Sequence, residues 1–275
     1  MKNIDNKTVE DFGKEWAEYS HDTIPERELK NQFDKYFHIV DLDELQDNSH
    51  AFDMGCGSGR WAKFVAPKVG VLHCIDGSSE ALKIAERNLS TLRNCIFHQA
   101  SFNNIPLEDA SMDFGYSLGV LHHIPDTVAG LRACIAKLKP GAPFLAYFYY
   151  AFDNKPLWFK TIWRISDIFR RLISVLPFRL KLLITKLIAL AVYLPAARSS
   201  LILERLGFHV ENIPLSQYRT FPYYTMKTDA LDRFGTRLEK RFTRKEIHEM
   251  FKTEGLQDIQ FSDDSPYWCV VGFKQ

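Results

Sequence analysis

Residues 52–59 read Phe-Asp-Met-Gly-Cys-Gly-Ser-Gly, three alternating glycines directly behind an apolar lead (His50-Ala51-Phe52) and one acid, Asp53. The run Arg60-Trp61-Ala62-Lys63-Phe64-Val65 follows with the look of an opening helix. This order predicts a strand, a glycine turn and a helix N-terminus. Such a unit brings bare backbone N–H groups close to a ligand, because Gly55, Gly57 and Gly59 lack the β-carbons that hold a bulky cofactor away. Two phosphate-binding alternatives fail. The dinucleotide fingerprint G-x-G-x-x-G needs glycine at position 60, where Arg60 stands, and the loop G-x-x-x-x-G-K-[ST] is absent. Taken alone, the cluster also fits a simple tight turn.

The segments downstream decide between these readings. Val71 to Asp76 reads as a second buried strand ending in an acid, 17 residues past Gly59. Gly77-Ser78-Ser79-Glu80 then caps a helix from Ala81 to Leu89, with Ser78 or Ser79 as N-cap. An acid at the end of that strand can accept hydrogen bonds from both hydroxyls of a ribose; its plainer reading is a turn or cap residue. A third strand, Asn94 to His98, ends at Gln99-Ala100-Ser101-Phe102, and a fourth, Met112 to Ser117, runs into Leu118-Gly-Val-Leu-His-His-Ile-Pro-Asp126. Helix 127–138, the turn Lys139-Pro140-Gly141-Ala142 and strand 143–150 complete the alternation. Strands alternating with helices predict an α/β fold with a doubly wound parallel sheet, whose ligand crevice lies at the carboxyl ends of the strands. Each of these motifs falls at such an end. Helix 243–254 and an antiparallel hairpin, 257–261 with 267–273, bring the sheet to seven strands.

The arrangement resembles the class I S-adenosylmethionine-dependent methyltransferases, specifically their broad small-molecule group. The resemblance rests on Asp53-Met-Gly-Cys-Gly-Ser-Gly59, Asp76, Ala100-Ser101-Phe102, Leu118 to Asp126 and Leu138-Lys-Pro-Gly141, about 100 residues in the family's order. Ala142 departs from it, where many relatives have a second glycine. The resemblance implies a Rossmann-like core and S-adenosyl-L-methionine as cofactor. It implies that Gly55, Gly57 and Gly59, with Cys56, pass the methionine moiety, that Asp53 lies near its ammonium group, and that Leu118 offers its backbone to the amine. Asp76, with Gly77, would hold the ribose, and Ala100, Ser101 and Phe102 would meet the adenine. In some relatives one histidine at the place of His122 and His123 is the proposed base and in others it only packs or hydrogen-bonds; if one acts here, His123 is preferred over His122. Asp126 reads as the cap of the following helix.

Four segments follow. Residues 1–47 form an N-terminal helical cap in two pieces, the first with the aromatic face Val9, Phe12, Trp16 and Tyr19. This cap either packs on the sheet or closes over the cofactor, where Trp16 and Tyr19 would touch it. Residues 48–151 form the cofactor-binding core, 152–241 a helical substrate lid, and 242–275 the helix and hairpin that complete the core. Substrate contacts are assigned to Tyr149, Tyr218, Tyr223 and Tyr224; tyrosines that merely fill the lid's core are an equal reading. The lid's first helix carries Trp158, Ile162, Ile165, Phe169, Leu172, Ile173 and Leu176 and stops at Pro177; its second, about 179–193, ends before Pro195. From Lys155 to Arg198 there are nine Lys or Arg and a single acid, Asp167, which suits a lid with a solvated basic face. Peripheral membrane contact through 158–195 is the less favoured reading, and Lys181 and Lys186 keep the uninterrupted apolar run well below the ~18 residues of a span.

A net charge of +1 argues against general nucleic-acid binding. No His/Cys/Asp cluster has metal-ligand spacing. Five cysteines without C-x-x-C pairing, and a polar start without an apolar signal segment, suit reduced thiols in the cytoplasm. The function expected is methyl transfer to an O, N or C nucleophile of a small metabolite. The alternatives are a lipid or quinone-like acceptor at a membrane surface, and a binding module that keeps the cofactor but has lost catalysis.

Overall fold

The computed structural model describes residues 3–19 and 25–275; Met1 and Lys2 of the polar start, and 20–24 within the N-terminal cap, lie outside the described residues. The chain divides into two units, Met1–Ala151 with Leu238–Gln275, and Phe152–Arg237. The chain re-enters the first unit at Leu238 rather than at 242.

In the first unit the short apolar runs build one sheet. Its strands are β1 (His50–Met54), β2 (Val71–Asp76), β3 (Cys95–Gln99), β4 (Phe114–Leu118), β5 (Pro143–Tyr147), β6 (Leu256–Phe261) and β7 (Cys269–Lys274), in the order β3-β2-β1-β4-β5-β7-β6. The first five are parallel, and β7 runs antiparallel to both β5 and β6. Central strands are buried on both faces, which is why β1 and β4 read as nearly continuous apolar sequence. Phe52 and Met54 join one core with Phe144 and Phe251, while Ala51 joins the opposite core with Phe33, Phe37 and Tyr116. β5 stops at Tyr147, short of the expected Tyr150. Beyond it Phe148 donates to the Trp268 carbonyl at 3.2 Å, and Tyr150 pairs instead with Phe242.

The helices of this unit are α1 (Asn6–Glu18), α2 (Glu26–Phe37), α3 (Ala62–Val65), α4 (Ser79–Asn88) and α5 (Thr127–Lys137), with Arg244–Thr253 numbered α10 after the four helices of the second unit. Side-chain caps fix their starts: Asp5 accepts from Thr8 N, Ser78 from Ala81 N and Asp126 from Ala129 N, and Thr243 with Glu246 forms a capping box. Each such cap contributes about 1 kcal/mol. Asp126 is thereby committed to α5.

The second unit contains α6 (Leu157–Ile173), α7 (Phe178–Ile188), a π-helical turn Ala189–Tyr193, α8 (Leu194–Arg205) and α9 (Tyr223–Gly235). Pro195 does not end the second helix as expected; Phe178–Arg205 is one continuous helix of 28 residues. The widened turn directly before Pro195 accommodates the carbonyl that its missing N–H leaves unbonded. The expected solvated basic face holds for Arg164, Arg171 and Arg179, which stand exposed, but not for two further basic residues. Arg170 and Lys181 are buried at 5% and 1% exposure. Arg170 Nε donates to Asp167 at 2.6 Å and its Nη1 to the Thr236 carbonyl at 3.0 Å, while Lys181 Nζ donates to the Gly235 carbonyl at 2.9 Å. Meanwhile Ile165, Phe169 and Leu172 of the apolar stripe stand exposed, and of that stripe only Ile173 is buried. Leaving a Leu, Ile or Phe in water forfeits about 1.5–3 kcal/mol each.

Candidate functional site

Strand order reverses on the two sides of β1, whose neighbours are β2 and β4. In a doubly wound sheet this switch point is where loops diverge and leave a crevice at the strand ends. Gly55, Gly57 and Gly59 all have positive φ (86°, 55° and 75°), so the loop after β1 takes a path that L-residues resist. Its N–H groups are not bare, contrary to the sequence expectation. Gly55 and Cys56 donate to the Ile75 carbonyl at 2.7 and 3.0 Å, Gly59 to the Cys56 carbonyl, and Gly57 to Asp76 Oδ2 at 3.0 Å. The glycines therefore supply close approach rather than free donors.

Asp76 fastens this loop to the start of α4. Its Oδ1 accepts from Ser78 N at 2.8 Å, and Gly77 lies between. Burial pushes the carboxyl pKa upward, against the pull of the Ser78, Gly57 and Gly77 N–H groups. A carboxylate offers about four lone-pair sites. Gly57 N and Ser78 N occupy one site on each oxygen and Gly77 N draws on the same group, so capacity for a ligand hydroxyl remains.

Asp53 sits mid-sheet at 2% exposure, directly across from Tyr116 of β4 in register. Its Oδ2 has no hydrogen-bond partner among the described residues. Burial lifts its pKa to about 8, while the Tyr116 hydroxyl and Arg60 pull the other way. A buried acid with an unused oxygen at the loop's origin fits a ligand ammonium. The spare acceptor capacity of Asp53 and Asp76 matches the ammonium and ribose hydroxyls of S-adenosylmethionine.

Helix α1 covers these strand ends. A β-carbon on Gly57 would meet the Trp16 indole at 2.8 Å, and one on Gly77 would meet Val9 at 3.4 Å. Trp16 in turn lies under the Arg60 guanidinium, 5.6 Å from its ring centroid, and Arg60 also stacks on Trp61 at 4.4 Å. Tyr19, which follows the last turn, is 2% exposed. Ahead of α1, Asn3 exchanges hydrogen bonds with Asp126 (2.7 Å each way) and its N–H donates to Asn103 Oδ1 at 2.8 Å. Gly57→Ala is expected to lower the melting temperature and cofactor affinity together, because it adds positive-φ strain of about 1–3 kcal/mol and displaces Trp16. Thermal melts and calorimetry check this; a variant with wild-type values in both would show that the loop tolerates a side chain.

His122 and His123 end in the turn after β4, both buried, with ring centroids 4.1 Å apart. Their partners assign opposite tautomers. His123 Nδ1 lies 2.7 Å from the Leu238 carbonyl, which can only accept, so the neutral ring keeps its lone pair on Nε2. His122 Nδ1 accepts from Tyr149 N at 3.3 Å, so its proton sits on Nε2. Burial, with His123 and Arg241 nearby, pushes the His122 pKa well below its usual value. His122 is stacked on Tyr149 at 4.0 Å, and its Nδ1 lone pair is engaged by Tyr149 N. Phe12 of α1 meets the His123 ring at 5.1 Å.

The remaining sequence candidates divide. Leu118 ends β4, and Gly119 behind it donates to the Tyr147 carbonyl. Ala100 N is taken by the Asp76 carbonyl at 3.0 Å, and Ser101 Oγ by Asn104 Oδ1 at 3.1 Å. Cys56 and Phe102 are core residues, on opposite faces of the sheet. Tyr149 is engaged by the His122 ring and by Arg241, 5.0 Å from its centroid. Tyr218 lies in the hydrophobic core of the second unit beside Tyr193, the position of a core-filling tyrosine. Tyr223 packs against that core with its hydroxyl donating to the Lys186 carbonyl, and Tyr224 opens α9 beside it. Tyr116, Asn3 and Leu238 are additions. Sheet register could have found Tyr116. Leu238 acts through its backbone, 115 residues from His123, and leaves no signal in the sequence.

Residues 51–141 match the family model described as a methyltransferase domain. Among curated proteins, the chain is 30% identical over 114 residues to a sterol 4-C-methyltransferase of Caenorhabditis elegans, covering 40% of this chain and 34% of that one. It is 32% identical over 91 residues to a ubiquinone biosynthesis O-methyltransferase of Vibrio vulnificus, covering 32% and 39%. The chain thus spans under two-fifths of the length of these relatives. Among solved structures, an S-adenosylmethionine-dependent methyltransferase of Thermotoga maritima superposes with a TM-score of 0.54 over 98% of this chain and 100% of that one, at 12% identity. That likeness is one of fold.

Proposed function

We propose that this chain, whose residues 51–141 match a methyltransferase domain, transfers the methyl group of S-adenosylmethionine to an oxygen, nitrogen or carbon nucleophile of a small acceptor. The observation that carries the reading is the convergence of Asp53, Asp76 and His123 at adjoining strand ends beneath α1. The cofactor supplies, when bound, a sulfonium methyl group open to in-line displacement. Asp53 receives the ligand ammonium, and Asp76 the ribose hydroxyls. His123 Nε2 takes the proton of the acceptor, with the Leu238 carbonyl holding the ring in the tautomer that allows it. Trp16 and the body of α1 keep water from the strand ends, which strengthens every polar contact there.

A lipid or quinone-like acceptor is the second reading. The exposed apolar side chains of the second unit favour it, as do relatives named for sterol and quinone methylation. The setting we propose is the cytoplasm, supported by five free thiols. Incubation with methyl-labelled cofactor and a panel of phenols, quinols, sterols and amines tests the function through formation of S-adenosylhomocysteine. Cofactor binding with no labelled product from any class would favour the catalytically silent binding module instead.

A further inference from the structure

Sixteen of the seventeen large apolar side chains that stand exposed among the described residues belong to Phe152–Arg237; Ile96 is the exception. Monomeric soluble proteins rarely expose a contiguous apolar face of this extent without a partner for it. The exposed positions are periodic. On α6, Ile165, Phe169 and Leu172 recur at steps of three and four, and on α7 and its continuation Leu183, Leu187 and Leu190 do the same. Both helices turn their other faces inward, towards α9.

Charge selects the occupant. The second unit holds fourteen Lys or Arg against six Asp or Glu, a net +8, so the rest of the chain, with 21 against 28, is −7. Asp167 is the single acid between Lys155 and Arg198, and it is buried against Arg170 and Arg171. Arg164 and Arg179 stand exposed on the two apolar helices, and no described residue forms an ion pair with either. Two copies meeting through these units, each of net charge +8, would repel. An anionic bilayer offers both an apolar layer and the opposite charge.

We propose that α6 and the helix Phe178–Arg205 lie in the interface of an anionic lipid bilayer and dock the chain on it. The helix is long and apolar enough to cross a membrane, with a mean hydropathy of 1.8 over its best window. Its inner face, however, belongs to the core of the unit. Lys181 is hydrogen-bonded to Gly235 there, and Ala189, Tyr193 and Ala197 pack against Met226 and Ala230. Spanning would strip these contacts and bring a buried ammonium into hydrocarbon. Lying flat keeps them, and places the arginines at headgroup depth. The docking does not depend on the methyl-transfer reading.

Co-sedimentation of the full chain with vesicles of phosphatidylcholine, with and without phosphatidylglycerol, tests the proposal. The wild type is expected to pellet with the anionic vesicles, to bind the neutral ones more weakly, and to lose binding as salt is raised. Arg164→Gln with Arg179→Gln should weaken anionic binding roughly 5-fold for each charge. Ile165→Ser with Phe169→Ser and Leu172→Ser should reduce it at least about 100-fold. Leu183→Ser with Leu187→Ser repeats the test on the other helix. S-adenosylhomocysteine affinity, read by calorimetry on the same variants, should stay at the wild-type value, which separates loss of docking from loss of fold or of the cofactor site. A wild type that stays in the supernatant with anionic vesicles overturns the proposal. So does assembly with itself that the triple variant abolishes, since a second copy would then cover the face. Retention in the pellet after carbonate washing overturns it in favour of a span.

Discussion

His123→Ala is expected to reduce turnover by about 10²- to 10⁴-fold while leaving S-adenosylhomocysteine affinity within about twofold of wild type. The expectation follows from the tautomer. Leu238 O accepts a hydrogen bond from Nδ1–H at 2.7 Å, and the lone pair of the neutral imidazole is then on Nε2. The ring is buried at 3% exposure and held by Phe12 and Tyr149 as well as by Leu238, so it is oriented before any acceptor arrives. His123→Asn separates proton transfer from positioning. Its amide can still donate to the Leu238 carbonyl but cannot accept a proton, so it should be as impaired as the alanine variant. Wild-type turnover in either variant, measured at saturating cofactor, would remove His123 as base. Recovery in the asparagine variant alone would make it a positioning residue.

Asp76→Ala should weaken cofactor binding by about 10- to 100-fold, the worth of hydrogen bonds to a charged acceptor. Part of the loss comes from the protein itself, because the side chain also accepts from Gly57 N and Ser78 N and so ties the glycine loop to the start of α4. Asp76→Asn addresses this. It keeps one carbonyl oxygen for a backbone donor but loses the charge and the second acceptor, so its melting temperature should lie between the alanine variant and wild type while its affinity still falls. Unchanged calorimetric affinity in both variants would show that Asp76 is a loop fastener alone.

The parallel sheet was legible because each strand is a short apolar run ending in a turn signal, and burial on both faces leaves that pattern intact. The same runs set where β1, β2 and β4 end, and so where Asp53, Asp76 and His123 come together. Less of the site's wiring was legible. The glycine loop suggested free N–H donors, but Ile75 O and Asp76 Oδ2 consume them across the β1–β2 pairing, a contact set by register rather than by local sequence. The choice between His122 and His123 rests on two backbone groups, Tyr149 N and Leu238 O, which carry no side-chain signature.

In the second unit, periodicity located the helices correctly and assigned their faces wrongly. A helical stripe of Ile, Phe and Leu reads as core by default, because burial is what usually rewards it. Here Asp167, Arg170 and Lys181 share the inner face with Ile173, Ala189 and Tyr193; Arg170 donates to Asp167 and the Thr236 carbonyl, and Lys181 to the Gly235 carbonyl. Pro195 misled for a related reason: the π-helical turn before it removes the clash that would end an ordinary helix.

Calorimetric titration of the whole chain with S-adenosylhomocysteine at pH 7, in phosphate and in Tris, tests the central assignment most directly. Asp53 has a pKa of about 8 in the folded protein, raised by burial, against about 3.9 when unfolded. Its carboxyl is therefore mostly protonated at pH 7, and its burial costs the ligand-free fold stability as pH rises through that interval. A ligand ammonium beside it favours the carboxylate and expels the proton. The account predicts saturable one-to-one binding with release of nearly one proton at pH 7, so that the heats differ between the two buffers. The release should vanish above pH 9, where the group is already ionised, and in Asp53→Asn. Absence of saturable binding would contradict the assignment of the glycine loop, and binding with identical heats in both buffers would contradict the placement of the ammonium at Asp53.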